Sequence, residues 1–234
     1  NDTVSYELND SAIYASLESG RTSQNDTLKD VENLHGSKYN DILEGDDKDN
    51  TLFGGSGDDI LIGLEGADTL DGGDGVDLAS YETSSAVEIN LKHNYADGGE
   101  ATGDKFVNIE GIKGSKEADT IVGDNNSNLI YANDGDDRVS GNDGDDIIFG
   151  GKGNDYIKGD AGNDTLYGED GDDILIGGAG DDILVGGTGK NMLYGDSGKD
   201  TVLYKGKSED YEILFINENT LFVKSKDGKT LDTL

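Results

Sequence analysis

Residues 177–195 read GGAGDDILVGGTGKNMLYG, and this stretch decides the fold. Two glycine pairs stand nine residues apart, and each is followed by one variable residue, a glycine, a polar residue and then Asp182 or Asn191. The same nine-residue block, whose positions we call slots one to nine, repeats ten times from Gly114 and five times from Gly36. Slot six is Asp in all but three blocks, and slot eight is Leu, Ile or Val in all but one. A register kept this long indicates one local conformation, repeated along the chain.

The slots predict a turn followed by a very short strand. Glycine reaches positive φ without steric cost, so slots one to six suit a turn. The aliphatic and β-branched residues of slots seven to nine suit a strand with one inward side chain. Two nonamers then complete one coil of 18 residues, and the sequence predicts an all-β fold: a right-handed parallel β-roll in two runs, with irregular β segments between them and at both ends. The predicted core of the long run is two facing slot-eight ladders: Ile121, Val139, Ile157, Leu175 and Leu193 against Ile130, Ile148, Leu166, Leu184 and Val202.

Looser repeats outside the nonamers complete the predicted organisation. DTVSYELNDSAIYASL near the start is echoed by DLASYETSSAVEINL after Asp77, and NDTLKDVENLHGS (25–37) by GDKFVNIEGIKGS (103–115). Near the end, Tyr211–Ile216 and Thr220–Ser225 alternate apolar and polar residues, which predicts an antiparallel hairpin. The expected segments are an irregular β segment (1–35), the first roll (36–80), an irregular insert that continues the solenoid (81–113), the second roll (114–203) and a capping hairpin expected to be truncated (204–234).

Composition excludes several classes of function. The formal net charge is −33, and such a surface repels both nucleic acid and anionic membranes. No apolar run approaches the roughly 18 residues of a membrane span, so membrane insertion is not expected. There is no Cys, which removes disulfides and thiolate metal sites.

The stacked acids point to calcium. The predicted coils place Asp146, Asp164, Asp182 and Asp200 in one column and Asp137, Asp155 and Asp173 in the opposite one. Like charges stacked about 5 Å apart repel strongly without a counterion. Carboxylates mixed with turn carbonyls suit Ca²⁺, whereas Mg²⁺ prefers strict octahedra, and zinc or copper would want Cys or His. Only two histidines exist, His35 and His93. The pattern is not an EF-hand, because no block carries the bidentate Glu at loop position twelve.

The blocks resemble the repeats-in-toxin (RTX) nonapeptide GGxGxDxUx, a calcium-binding β-helix repeat. The resemblance implies that each ion lies between two turns of one column, 18 residues apart. The lower turn would supply the carbonyls of slots two and four, the upper turn those of slots one and three, and each turn its slot-six carboxylate. In the first run the implied ligands are Gly55, Gly57, Asp59, Gly63, Glu65, Asp68, Gly72, Asp74 and Asp77. In the second run they are Asn133, Gly135, Asp137, Asn142, Gly144, Asp146, Gly150, Gly151, Lys152, Gly153, Asp155, Gly159, Asp160, Ala161, Gly162, Asp164, Gly168, Asp170, Gly171, Asp173, Gly177, Gly178, Ala179, Gly180, Asp182, Gly195, Ser197 and Asp200.

The three slot-six asparagines are expected to mark column ends. Asn50 and Asn128 each fall in the second block of their run, and Asn191 is expected in the last turn of its column, because residues 204–209 read YKGKSE and offer no loop to stack on it. A terminal turn serves one ion instead of two, so a full carboxylate is less needed there. We therefore expect full calcium sites between residues 132 and 182, and weak or empty ones at turns 45–50, 123–128 and 186–191.

The favoured function is a non-catalytic, calcium-stabilised structural module of a secreted or cell-surface bacterial protein. The RTX resemblance implies type I export, folding on Ca²⁺ outside the cell, and a role as a rigid extension or scaffold. The alternative is a glycan-binding or adhesive module attached to an extracellular enzyme or adhesin; its candidate partners are glycans and other copies of the same surface protein. Lys105, Lys113 and Lys116 near Phe106 are the basic and aromatic group that this alternative would use. Paired carboxylates also occur in glycosidases, but here they are interpreted as calcium ligands, and no Ser–His–Asp set, P-loop or HExxH motif appears.

Overall fold

The structure, a computed structural model, describes residues 1–205, 211–217, 220–225 and 231–233. The fold is all-β, and parallel strands wind into a right-handed β-roll, as the nonamer pattern predicted. Within the described ranges one short 3-10 turn, Gly99–Ala101, is the only helical element, and no helix could span a membrane. Contacts divide the chain into two units, Asn1–Ser115 and Lys116–Leu234. The five segments drawn from sequence pattern stay a prediction.

The first unit contains two parallel sheets. Its strands are β1 (Thr3–Ser5), β2 (Tyr14–Ser16), β3 (Arg21–Thr22), β4 (Asn33–His35), β5 (Ile42–Glu44), β6 (Thr51–Ser56), β7 (Ile60–Ile62), β8 (Thr69–Asp74), β9 (Leu78–Ser80), β10 (Glu88–Asn90), β11 (Tyr95–Asp97), β12 (Lys105–Val107) and β13 (Gly111–Lys113). One sheet runs β1-β4-β6-β8-β12. The other runs β2-β5-β7-β9-β13, and β3 pairs antiparallel with β2.

Residues 81–113 leave the roll and return to it. β10 and β11 pair antiparallel as a hairpin. β12 then pairs in parallel with β8, and β13 with β9, so both strands add to the sheets of the first run. The expectation that 81–113 forms extra coils with a looping excursion stays a prediction.

The second unit repeats the same architecture over more coils. Its strands are β14 (Thr120–Val122), β15 (Leu129–Asp134), β16 (Arg138–Asp143), β17 (Ile147–Lys152), β18 (Tyr156–Ala161), β19 (Thr165–Asp170), β20 (Ile174–Ala179), β21 (Ile183–Val185), β22 (Met192–Ser197), β23 (Thr201–Val202), β24 (Tyr211–Asn217), β25 (Thr220–Ser225) and β26 (Leu231–Thr233). The even-numbered strands β14 to β22 form one parallel sheet, and the odd-numbered strands β15 to β23 form the other. Partners such as Ile148 and Leu166 are 18 residues apart, as expected for two nonamers a coil.

The C-terminal strands form the predicted hairpin and one strand more. β24 and β25 pair antiparallel between Tyr211 and Ser225. β26 pairs antiparallel with β25 and in parallel with β22, where Thr233 lies opposite Met192. The chain therefore returns to the sheet of the roll after the hairpin.

The core is the thin double ladder that slot eight predicted. Its members are buried, except that Val202 at the end is half-buried. Ordering the backbone costs about 1–2 kcal/mol per residue, whereas burying one Leu or Ile side chain contributes about 1.5–3 kcal/mol. One such side chain in each nine-residue block is too little to hold the coil. A second source of stability is required.

A pair of substitutions tests the ladder. Leu166 on β19 is completely buried, so Leu166→Ala should lower the free energy of unfolding by about 2–5 kcal/mol. Ile147 on the neighbouring strand β17 is 43% exposed, and Ile147→Ala should cost about 1 kcal/mol or less. Denaturant titrations of both variants in saturating calcium give the comparison. Equal losses for the two variants would show that slot eight does not form the core.

Candidate calcium sites

One oxygen of each slot-six carboxylate joins two coils. Of two stacked coils, we call the one that comes earlier in the sequence the lower coil. The backbone N–H of Asp146 donates to Oδ1 of Asp164 at 2.8 Å, and that of Asp164 donates to Oδ1 of Asp182 at 2.9 Å. In the opposite column Asp137 donates to Asp155 in the same way, at 2.9 Å. Slot-six side chains therefore reach down to the coil beneath them.

The other oxygen has no hydrogen-bond partner. Nine slot-six carboxylates share this feature, and each is buried: Asp59, Asp68, Asp77, Asp137, Asp146, Asp155, Asp164, Asp173 and Asp182. A buried polar atom without a hydrogen bond costs on the order of 1–3 kcal/mol, and more when it carries charge. Nine such atoms, arranged in two columns in each unit, indicate that a cation belongs beside them.

A carbonyl of the next coil faces the same space as the unpaired oxygen. A methyl group placed on Gly159 would lie 2.7 Å from the carbonyl oxygen of Gly177, and it would also run into Oδ2 of Asp164. A methyl group on the slot-one glycine Gly141 would likewise lie 2.9 Å from the carbonyl oxygen of Gly159. One on Gly150 would lie 2.9 Å from the carbonyl oxygen of Gly168. Glycine in slot one therefore keeps open a space that oxygen atoms of two successive turns border.

The carbonyls of slots two and four in the lower turn point at the upper turn. A methyl group on Gly178 would collide with the carbonyl oxygen of Asp160, and one on Gly180 with that of Gly162. Gly178 and Gly180 have φ of 117° and 138°, a left-handed conformation that favours glycine. These contacts lie between turns 159–164 and 177–182, where the RTX resemblance places one set of calcium ligands.

The donor set fits a hard cation. No group of three or more His, Asp or Glu side chains that could hold a metal occurs in the described ranges. Each boundary between two Asp turns instead offers two carboxylates with backbone carbonyls, and Ca²⁺ accepts 6–8 such oxygens at about 2.3–2.6 Å. Most of the ligands would come from the backbone, so a site exists only where two turns are already stacked.

The structure brings the predicted site residues together in pairs of turns. The stacked pairs are 54–59 with 72–77, 132–137 with 150–155, 141–146 with 159–164, 150–155 with 168–173, 159–164 with 177–182 and 177–182 with 195–200. The slot-three side chains of Glu65, Asp74, Lys152, Asp170 and Ser197 are exposed, and the predicted ligands at these residues are the backbone carbonyls. Turn 63–68 stacks on turn 45–50: the carbonyl oxygen of Gly63 lies against Gly45, and Oδ1 of Asp68 accepts the backbone N–H of Asn50. The assignment of individual ligands stays a prediction.

Two of the asparagine turns are closed by their own hydrogen bonds. Oδ1 of Asn50 accepts the backbone N–H of Asp46 at 2.7 Å, and its Nδ2 donates to the carbonyl of Glu32 at 3.0 Å. Oδ1 of Asn128 likewise accepts the N–H of Asp124 at 2.7 Å. In these turns the amide is satisfied within the protein, in contrast to the unpaired Oδ2 atoms above. β4 pairs beneath β6, and Asn50 bonds to Glu32 just before β4, so Asn50 does not end its column. The expectation of weak sites at 45–50, 123–128 and 186–191 stays a prediction.

The interpretation of Asn191 as the end of its column is wrong. Its backbone N–H donates to Oδ1 of Asp232 at 3.2 Å, and the N–H of Thr233 donates back to its carbonyl at 2.8 Å. Asp232 is fully buried and therefore takes the slot-six place above Asn191. The nonamer period could not show this, because the hairpin separates the two residues by 41 positions.

Slot five is a functional position that the nonamer pattern left unassigned. Its side chain accepts the backbone N–H of slot five in the coil above: Asp145 from Asn163 at 2.7 Å, and Asn163 from Asp181 at 2.9 Å. The ladders read Ser127-Asp145-Asn163-Asp181-Lys199, Asp136-Asn154-Asp172-Lys190, Asn40-Asp58-Val76 and Asp49-Ala67. Each ladder ends at a residue whose side chain cannot accept a hydrogen bond. This change from Asp, Asn or Ser to Lys, Val or Ala is the sequence signal that could have revealed the role of slot five.

A buried tyrosine closes one coil of the insert. Tyr81 is 1% exposed, and its hydroxyl donates to Oδ2 of Asp104 at 2.8 Å. Oδ1 of Asp104 accepts the N–H of Asp68 at 2.8 Å, as a slot-six residue would. Asp104 was missed because it lies 36 residues after Asp68, twice the spacing of the nonamer coils.

Burial makes the slot-six carboxyls weak acids when no ion is present. It raises the pKa of Asp137 and Asp146 to about 7, and that of Asp68 to about 8. The pKa of Asp164 rises to about 6 for the same reason, with the charge of Asp182 adding to the effect. The carboxylate form therefore needs a positive neighbour that the polypeptide does not supply.

Comparison with known proteins agrees with this geometry. The sequence model described as RTX calcium-binding nonapeptide repeat (4 copies) matches residues 30–59, 44–79, 113–148, 140–175 and 167–202, more than half of the chain. The chain belongs to the RTX calcium-binding nonapeptide-repeat family. The matched ranges contain the unpaired slot-six oxygens, so the RTX repeats and the proposed sites coincide.

Matches to individual proteins are weaker. No curated protein sequence matches this RTX chain. Among solved structures, the crystal structure of the extracellular lipase LipA from Serratia marcescens is similar at 19% identity, with a TM-score of 0.33, over 94% of this chain. The match spans 40% of the lipase chain. At this level of likeness the lipase says nothing about the activity of the RTX chain.

The raised pKa values predict how the ion-free roll responds to pH. Asp side chains in an unfolded chain have a pKa of about 3.9. Burial raises the pKa of Asp146 in the folded roll to about 7. Between these values the folded chain binds more protons than the unfolded chain, so the free energy of unfolding should fall as pH rises. Circular dichroism in calcium-free buffer between about pH 5 and pH 8 measures this trend. Stability that rises with pH would contradict the burial of these carboxyls.

Position in the column predicts the effect of losing one carboxylate. Asp164 is buried and bonded to the coil on either side, whereas Asp200 is half-buried and lies near the end of its column. In a nearest-neighbour solenoid an interior defect weakens two interfaces, and a terminal defect weakens one. Asp164→Ala should therefore raise the calcium midpoint of folding more than Asp200→Ala. Equal midpoints in parallel calcium titrations would argue against sites shared between neighbouring coils.

Proposed function

We propose that this RTX chain is a calcium-dependent structural module of a secreted or cell-surface bacterial protein. It would fold when Ca²⁺ enters the boundaries between stacked turns, and it would then serve as a rigid spacer or scaffold without catalysing a reaction. The observation that carries this proposal is the set of nine buried slot-six carboxylates whose Oδ2 atoms have no donor.

Ion binding supplies the stability that the core lacks. A formal net charge of −33 opposes compaction, and the slot-eight ladder buries only one apolar side chain in each block. Ligands that bind the folded state and not the unfolded one stabilise folding, and most of the proposed ligands are carbonyls that converge only after stacking. The free energy of ion binding would thus become free energy of folding.

The dependence on calcium suits a chain that matures outside the cell. Extracellular calcium modules bind with dissociation constants of about 10⁻⁴–10⁻³ M, so they stay empty at low calcium and fill at millimolar calcium. An RTX chain that stays unfolded in a calcium-poor cytoplasm would be competent for type I export and would fold after it. The family assignment supports this route.

Stacked coils would make the module a stiff spacer. Adjacent strands of a sheet lie about 4.8 Å apart, so the five coils of nonamers in the second unit rise by roughly 24 Å. Each coil contacts its neighbours through strand pairing, slot five and slot six. Bending such a stack would break several of these contacts at once.

A calcium titration tests the proposal. In chelator, at a pH where the slot-six carboxyls are ionised, the chain should show coil-like circular dichroism and a large hydrodynamic radius, because the unpaired carboxylates oppose compaction. Millimolar Ca²⁺ should convert it to compact β structure, and Mg²⁺ at the same concentration should be a poor substitute, since Mg²⁺ demands near-ideal octahedral geometry. A chain that keeps compact β structure in excess chelator would overturn the proposal.

A further inference from the structure

The last turn of the first run is covered by a segment that is not a nonamer. Turn 72–77 has no glycine-rich turn 18 residues later. Instead, the backbone N–H groups of Glu110 and Gly111 donate to the carbonyl of Asp77, at 3.2 and 2.9 Å. β13 then continues in parallel beside β9, so residues 108–110 occupy the place of the next turn.

Oxygen atoms of both segments converge at this boundary. Asp77 is completely buried, and its Oδ2 has no hydrogen-bond partner. A methyl group placed on Gly72 would run into both that oxygen and the carbonyl oxygen of Asn108. The backbone N–H of Asp77 donates to Oε2 of Glu110 at 3.0 Å, the bond that a slot-six Asp accepts elsewhere. Asn108 and Glu110 therefore stand where slots one and six of an upper nonamer would stand.

We propose that the tripeptide Asn108–Ile109–Glu110 completes a further calcium site on turn 72–77. Its ligands from the chain would include the Asp77 carboxylate, the Asn108 carbonyl and the Glu110 carboxylate. Glu is longer than Asp by one methylene, which lets a three-residue segment bring a carboxylate to a place that a six-residue turn otherwise reaches. The site lies beyond the nonamer repeats, and it rests on the proposed function, in which ions fill the boundaries between turns.

The same three-residue arrangement occurs a second time in the chain. Asp30–Val31–Glu32 reads like Asn108–Ile109–Glu110, and the backbone N–H of Asp2 donates to Oε2 of Glu32 at 2.8 Å. Asp30 and Asn108 also share a left-handed backbone, with φ of 55° and 47°. This conformation is uncommon outside glycine, and Asn and Asp are the residues that tolerate it best. Its recurrence two residues before a Glu indicates a built element rather than an accident of one loop.

Glu110→Gln separates ligation from simple hydrogen bonding. The amide oxygen of Gln can still accept the N–H of Asp77, but it is neutral and a weaker ligand for Ca²⁺. Bound calcium is counted after equilibrium dialysis of the full chain, at the free calcium that just saturates the wild-type chain. We expect one ion fewer per chain in Glu110→Gln and the wild-type count in Glu88→Gln, which changes an exposed carboxylate on β10.

A lanthanide measurement gives an independent result on the wild-type chain. Crystals grown with Tb³⁺ in place of Ca²⁺ should show anomalous density beside Oδ2 of Asp77, between Asn108 and Glu110. A full ion count in Glu110→Gln, or no such density, would overturn the inference while leaving the proposed function intact. A wild-type chain that folds without calcium and binds none would overturn both. If Glu110→Gln does not fold, the lanthanide density decides alone.

Discussion

The structure depends on buried carboxylate oxygens that the polypeptide does not neutralise. At Asp164, Oδ1 accepts a hydrogen bond from the coil below, while Oδ2 is equally buried and has no donor. The first oxygen fixes the spacing of the coils, and the second sets the requirement for a cation. On the proposed function, folding and ion binding would be one process, and the bound ions would supply the stability that so thin a core lacks.

The parts of the fold that follow the nonamer were predictable from the sequence, because each slot has one physical role. Slot eight is buried, as in Leu175, and slot six places a carboxylate between coils, as in Asp182. The parts that break the period were not predictable. Asp104, Glu110 and Asp232 take slot-six places, yet insertions of different length precede them. Only three-dimensional pairing shows that these acids are equivalent to the others.

The asparagine turns and the tyrosine show how the chain closes a turn with its own groups. Asn50 satisfies the space between turns with amide hydrogen bonds, and Tyr81 provides a hydroxyl donor for Asp104. Both carry neutral polar groups where the repeat carries a charged one. An amide in slot six adds no charge to its boundary, whereas Oδ2 of Asp68, which stacks on Asn50, still has no hydrogen-bond partner.

The two side-chain ladders run in opposite directions, and this limits how such a protein can grow. Slot-five side chains accept from the coil above, whereas slot-six side chains accept from the coil below. The uppermost coil must therefore end with a non-acceptor such as Lys190 and be covered by a carboxylate such as Asp232. A further pair of nonamers added above this uppermost coil would meet neither condition. Duplication within a run meets both, so coils added in the middle of a run would leave the contacts at its end unchanged.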